Sequence, residues 1–176
     1  MIFTKTKIKD AYTIDPELIA DERGYFTRSF CKEEFNNHGI ETDIVQCNIS
    51  SNKKKGTLRG IHYQIPPFAE TKIVSCTQGS IYDVIVDLRK DSPTFCSWQA
   101  EVLSANSHRM IYIPKGCAHG FQTLEDHCIV YYQMGEYYHP ECAKGIRWND
   151  PLFGITWPDP VMIISEKDKT YMNFQP

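Results

Sequence analysis

Short apolar runs broken by turn residues, with almost no helical periodicity between them, set the first limit on what this chain can become. Runs rich in Ile, Val, Tyr, Phe and Thr occupy residues 25–30, 44–50, 71–77, 80–88, 98–103, 109–113 and 127–132. Turn signals separate them: Asn52 with Gly56, Gln78-Gly79, Asp91-Ser92-Pro93 and Pro114-Lys115-Gly116. β-Branched and aromatic side chains suit a pleated, half-buried surface, and many short strands at this spacing predict an antiparallel sandwich or barrel. In 81–88 the alternation is explicit, with Tyr82, Val84, Val86 and Leu88 on one face and Asp83 and Asp87 on the other. Helical spacing is confined to 32–38 and to the C-terminus, where Ser165-Glu166-Lys167-Asp168 reads as a capping box.

A chain of 176 residues with 41% hydrophobic and 23% charged residues is sized and composed for one domain, here 1–176, with no repeat or linker to divide it. After Tyr138 the prolines Pro140, Pro151, Pro158 and Pro160 punctuate an irregular stretch containing Trp148 and Trp157, expected to cover one end of the sandwich. Lys and Arg number 19 against 22 Asp and Glu, a net charge of −3. That balance gives no general attraction for nucleic acid or an anionic membrane, so neither is expected as a partner. The opening MIFTKTKIKD has no apolar h-region, and a soluble cytoplasmic protein is expected. Seven cysteines, an odd number without CxxC spacing, argue against a disulfide framework or a zinc ribbon. Several are expected to pack as small hydrophobes.

Polar side chains embedded in strand patterns are the candidates for chemistry. In Leu58-Arg59-Gly60-Ile61-His62-Tyr63-Gln64 the two-residue period places His62 and Gln64 on one face and Arg59, Ile61 and Tyr63 on the other. Lys72 shares a face with Val74 and Cys76, so it either enters a cavity or starts its strand at the wet end. Tyr132 shares a face with Val130, and the turn 114–118 delivers His119 into a new strand. Taken singly, each has an ordinary account: a bonded structural histidine, an edge lysine, a core tyrosine with its hydroxyl at the rim, a helix-capping Asp168. The Lys53-Lys54-Lys55 run reads as a solvated turn.

Pro114-x-Gly116-x-x-His119 resembles the second half of the cupin metal motif. Its first half would carry His-x-His and a carboxylate, whereas this chain has His62-x-Gln64 with Glu70 further on. A mononuclear site needs three or four N/O ligands, and a neutral amide in place of an imidazole weakens it badly. The expectation is a cupin barrel without a metal.

Taken in order, the segments resemble the dTDP-4-dehydrorhamnose 3,5-epimerase family from about residue 14 to residue 168. The resemblance is carried by Asp21-Glu22-Arg23-Gly24-Tyr25-Phe26, Gln46-x-Asn48, Leu58-Arg59-Gly60-Ile61-His62-Tyr63-Gln64, Lys72 and Asp83-Val84-Ile85-Val86-Asp87-Leu88-Arg89. It continues through Ser92-Pro93-Thr94-Phe95, Ile113-Pro114-x-Gly116-x-Ala118-His119-Gly120-Phe121, Tyr137-Tyr138, Trp148-Asn149-Asp150-Pro151, Trp157-Pro158 and Ser165-x-Lys167-Asp168.

The resemblance implies an all-β fold of cupin type, a jelly-roll sandwich or barrel with short peripheral helices. It implies an epimerase inverting C3 and C5 of a nucleotide-linked 4-keto-6-deoxy sugar, with His62 as base, Asp168 as its partner, Lys72 beside the ketone and Tyr132 as acid on the opposite face. Arg23, Phe26, Gln46, Asn48, Arg59 and His119 match positions lining the nucleotide–sugar site, and Tyr138 matches an aromatic near the sugar. It implies a homodimer whose N-terminal strand crosses the interface, so that Arg23 serves the neighbouring site, and chemistry with no cofactor and no metal. Arg28, Gln133, Met134-Gly135 and Cys117 depart from the usual pattern. Those departures leave open the nucleotide base (dTDP, CDP or GDP) and whether one carbon or both invert. Rival readings are a keto-isomerase on the same fold and a non-catalytic sugar-nucleotide-binding cupin.

Overall fold

A computed structural model describes residues 1–40 and 43–176. The strands are β1 (Ile2–Lys5), β2 (Tyr12–Asp15), β3 (Ile19–Asp21), β4 (Gly24–Phe26), β5 (Gln46–Asn52), β6 (Thr57–Gln64) and β7 (Lys72–Gln78). They continue with β8 (Ser80–Asp87), β9 (Trp98–Ser104), β10 (Met110–Ile113), β11 (Cys117–Thr123), β12 (Cys128–Met134), β13 (Ala143–Gly145) and β14 (Ile163–Ile164). Two short helices, α1 (Lys32–Asn37) and α2 (Glu166–Thr170), stand at the periphery.

Two sheets make the sandwich. The first runs β1-β2-β10-β7-β12-β5 and the second β13-β6-β11-β8-β9, with β14 parallel to the start of β6; β3 and β4 form a separate ribbon. The all-β jelly-roll expectation holds. Between the sheets, Val74 and Cys76 of β7, Ile111 and Ile113 of β10 and Val130 of β12 meet Ile81 and Ile85 of β8 and Cys117 and Phe121 of β11. The outer face of the first sheet is sealed by Phe35 of α1 over Ile14, Ile73, Met110 and Tyr112. The proline-punctuated stretch lies on the outer face of the second sheet, where Ile146, Phe153 and Trp157 pack on Ile61, Val84 and Val86. It was expected at an end of the sandwich. The apolar outward residues of β8 require a cover along the whole face, and the two-residue period supplies them there.

The aspartate face of β8 therefore points inward, and its two carboxyls behave oppositely. Burial opposes ionisation of Asp87, yet Arg89, Ser92 and Thr94 donate to it and hold it at about 2. Burial pushes Asp83 above the ordinary carboxylate value, against the opposing pull of His119. All seven cysteines are free thiols, four of them buried; burial pushes Cys76 and Cys117 up to about 12, as expected of thiols packed like hydrophobes. Among the described residues no helix is long and apolar enough to cross a membrane.

Candidate active site

A cavity of about 700 Å³ opens between the two sheets. Lys72, Tyr132 and Met134 line it from the first sheet; Arg59, His62, His119 and Phe121 line it from the second. The α2 helix, with Asp168, closes one side. The placement of Arg59 and His62 on one wall corrects the two-residue period read from the sequence. On β11 the wall residues are His119 and Phe121, and β6 pairs His62 with His119 but Arg59 with Phe121, with a register shift between. Two residues of β6, Gly60 and Ile61, thus stand against the single residue Gly120, a bulge that resets the alternation. Gly60 (φ 119°) is a glycine for a second reason: a Cβ there would lie 2.5 Å from the Gly120 Cα.

His62 is half-exposed, and its Nε2 lies 2.7 Å from Oδ1 of buried Asp168. The other carboxylate oxygen accepts from the Gly60 amide at 3.3 Å. Burial opposes the charge on Asp168, but the His62, Gly60 and Ser165 bonds outweigh it and hold the carboxyl below its ordinary value. Only half of the expected capping box forms. Ser165 Oγ accepts from the Asp168 amide at 3.1 Å, whereas the Asp168 side chain turns away from the helix start to His62. A carboxylate so placed fixes the imidazole and supports positive charge on it, leaving the second ring nitrogen to take a proton.

Across the cavity, Lys72 is 8% exposed and pairs with Glu70 at 2.5 Å. Glu70, itself buried, also accepts the Gln64 amide at 2.9 Å. The Gln64 side chain donates to the Phe68 and Tyr137 carbonyls and accepts the His139 amide. The residues standing where a cupin would place metal ligands are thus engaged elsewhere, and among the described residues no cluster of three His, Cys, Asp or Glu could hold an ion. Sequence reasoning missed Glu70 as the anchor of Lys72. Glu70 precedes β7, which begins at Lys72, so no strand period links the two in the sequence.

Tyr132 is raised by burial, with Arg59 pulling the other way, so the phenol is protonated at neutral pH. His119, 9% exposed, has its Nε2 2.7 Å from Oδ2 of Asp83. Arg59 donates to the Asn52 side chain at 2.7 Å and reaches the cavity mouth, where Tyr138 also stands. Gln46 and Asn48 bond one another at 3.1 Å and contact the Met134 sulfur, one layer behind the lining. Arg23 and Phe26 are not at this cavity: they lie exposed on the β3–β4 ribbon, where Arg23 pairs with Asp21. Of the departures, Arg28 is neutralised by Glu34 at 2.6 Å away from the cavity, and Gln133 does not line it.

Comparison with known proteins gives the same direction over the whole chain. A family model described as dTDP-4-dehydrorhamnose 3,5-epimerase matches residues 5–176. A relative of that name from Methanothermobacter thermautotrophicus is 45% identical over 172 residues, 96% of this chain and 92% of its own. The crystal structure of a dTDP-4-dehydrorhamnose 3,5-epimerase from Bacillus anthracis, with TDP and PPi bound, superposes with a TM-score of 0.95 at 44% identity, covering 98% of this chain and 99% of that one. A Legionella pneumophila epimerase in complex with dTDP-4-keto-L-rhamnose gives a TM-score of 0.91 at 38% identity, over 98% of this chain and 92% of that one. Sequence and fold shared at this level, end to end, mean that the chain belongs to the dTDP-4-dehydrorhamnose 3,5-epimerase family of nucleotide-sugar epimerases.

Proposed function

We propose that this chain converts dTDP-4-dehydro-6-deoxyglucose to dTDP-4-dehydrorhamnose by inverting C3 and C5 through His62, Lys72, Tyr132 and Asp168. The observation that carries the reading is the division of labour across one cavity: His62 on the second sheet with Asp168 of α2, Lys72 and the protonated Tyr132 on the first sheet. The C4 ketone acidifies the hydrogens on both neighbouring carbons. His62 takes one of them, the C–H electron pair moves into the C4 oxygen as an enolate, and the Lys72 ammonium stabilises that oxygen. Tyr132 then donates a proton to the opposite face of the carbon, and imidazolium and phenolate exchange protons with water to restore the starting state. The scheme moves protons only and calls for neither redox cofactor nor metal.

Proton NMR of the substrate in deuterated water tests this. Both the C3 and C5 signals disappear, and reduction of the trapped product gives the rhamnose configuration. Exchange at one carbon alone marks a single-position epimerase. Exchange only with a CDP- or GDP-linked sugar rejects the dTDP assignment, and no exchange with any of them favours a binding protein.

The same proposal includes a homodimer in which the N-terminal ribbon reaches the neighbour. It is supported by Ile19, Tyr25 and Phe26 standing 69, 55 and 70% exposed on the ribbon, and by Ile49, 73% exposed on edge strand β5. Apolar surface and an open edge of this kind are stable in water when another chain covers them. Arg23 and Phe26, absent from their own cavity, would complete the partner's, with Arg23 and Arg59 neutralising the diphosphate. Light scattering then gives twice 20.4 kDa. Subunits carrying Arg23→Ala and subunits carrying His62→Asn, each defective alone, recover about a quarter of parental activity when exchanged at equal amounts, because half the dimers hold one intact site. No recovery among demonstrably mixed dimers would place Arg23 outside the partner's site.

A further inference from the structure

The segment that delivers Asp168 also delivers an aromatic ring that the proton transfers do not use. Tyr171 caps the C-terminal end of α2 and lines the cavity. Its ring meets the His62 imidazole edge-on, with centroids 5.9 Å apart and planes at 70°. The room for it comes from β13, which places Gly145 opposite His62. A Cβ on Gly145 would lie 2.2 Å from Cε2 and 2.4 Å from Cζ of Tyr171. Gly145 is not among the glycines with positive φ, so its backbone suits any residue, and the close neighbours of that missing Cβ are atoms of the Tyr171 ring.

The tail beyond the ring is tied down. The Arg147 amide donates to the Met172 carbonyl at 3.2 Å, and the Phe174 amide donates to buried Asp150 at 2.6 Å. The Phe174 ring packs on Phe153 at 5.8 Å and on Phe95 at 6.4 Å. Tyr171 is therefore held between α2 on one side and this anchor on the other. Lys167, one turn earlier on α2, stands 6.0 Å from the Tyr171 ring centroid.

We propose that Tyr171 is a positioning residue for His62, its ring fixing the imidazole plane while Asp168 fixes one ring nitrogen. One hydrogen bond defines a direction but leaves the ring free to swing about it, and the His62 side chain is 43% exposed. A base must meet its proton at a defined angle, and misplacement of about 1 Å costs on the order of 100-fold in rate. The packed ring removes the swing.

The proposal rests on His62 acting as the base, and the test separates the two. Turnover, KM and C5 deuterium exchange are measured for Tyr171→Phe, Tyr171→Ala, Gly145→Ala and the Tyr171→Ala/Gly145→Ala pair, with His62→Asn as reference. Tyr171→Phe keeps kcat within about twofold, because the ring remains. Tyr171→Ala loses about tenfold or more in kcat while KM moves less than about threefold. Gly145→Ala, which evicts the ring, gives the same pattern. The double variant is no worse than Tyr171→Ala, because no ring is left to collide with the new methyl group.

Parental kcat in Tyr171→Ala overturns the proposal, as does a loss carried entirely by KM or a Tyr171→Phe variant as slow as Tyr171→Ala. If His62→Asn turns over normally, the reading of the base falls and this one with it. If His62→Asn is dead and Tyr171→Ala is normal, only the role of Tyr171 falls. Should Tyr171→Ala melt at a much lower temperature, Tyr171→Phe and Gly145→Ala still decide, since fast turnover in Gly145→Ala rejects the proposal.

Discussion

His62→Asn reduces turnover by about 10³-fold or more and abolishes exchange of the C3 and C5 hydrogens with deuterated water. Asparagine is shorter and has no nitrogen that takes a proton near neutral pH, so the general-base contribution, about 10²–10⁴-fold, is lost. The fold is kept with a modest loss of stability: His62 is half-exposed and no part of the apolar core, whereas buried Asp168 loses one hydrogen bond and keeps that from the Gly60 amide. Substrate still binds, since Arg23 and Arg59, proposed to neutralise the diphosphate, are untouched. Retained exchange at both carbons would show that the base lies elsewhere.

Lys72→Met carries the second large effect, and it acts on two quantities at once. Removing a preorganised positive group from a developing oxyanion costs about 10²–10³-fold in kcat. The same change leaves Glu70 buried with its cation gone, and an ion pair broken from one side in the interior costs about 3–5 kcal/mol. Replacing both partners separates the two losses. The pair Glu70→Gln/Lys72→Met recovers most of the thermal stability, while kcat stays as low as in Lys72→Met. Calorimetry and steady-state kinetics on the same three proteins check this. Recovery of turnover in the double variant would mean that Lys72 serves the fold and not the enolate.

The strands were legible wherever a run of β-branched and aromatic residues was bounded by turns. The boundaries expected for β7, β8, β9 and β10 fall within two residues of those found. The run at 25–30 shrinks to Gly24–Phe26, because β4 has a single partner, β3, whose three residues limit the ladder. Strand β13 gave no signal in Ala143-Lys144-Gly145, as it is a strand only through pairing with β6 some eighty residues earlier. Such pairing is a property of the tertiary fold, not of the segment.

At the site, local rules reached as far as local causes do. They identified Ser165 as a helix cap and placed Asp168 three residues on. The same rules would return the Asp168 carboxylate to its own helix, whereas the fold offers it an imidazole 106 residues away. Likewise the two-residue period placed Arg59 opposite His62, because a bulge is a relation between two strands and β6 alone shows nothing of it but a glycine. The identities of His62, Lys72, Tyr132 and His119 were legible through the family resemblance, and the structure gathers them at one cavity. Their supporting contacts from Glu70 and Asp83 were legible only afterwards.

The paired glycines at the crossing of β6 and β11 have a meaning beyond close approach. An unbroken strand offers one wall a side chain every second residue, about 7 Å apart. At Gly60 and Gly120 that interval becomes three residues, between the guanidinium suited to a phosphate and the imidazole suited to a sugar carbon. In the proposed function a single strand thus offers separate stations to the two ends of an elongated ligand. The spacing of the two Cα atoms that carry them is written into the backbone, whatever rotamers the side chains adopt.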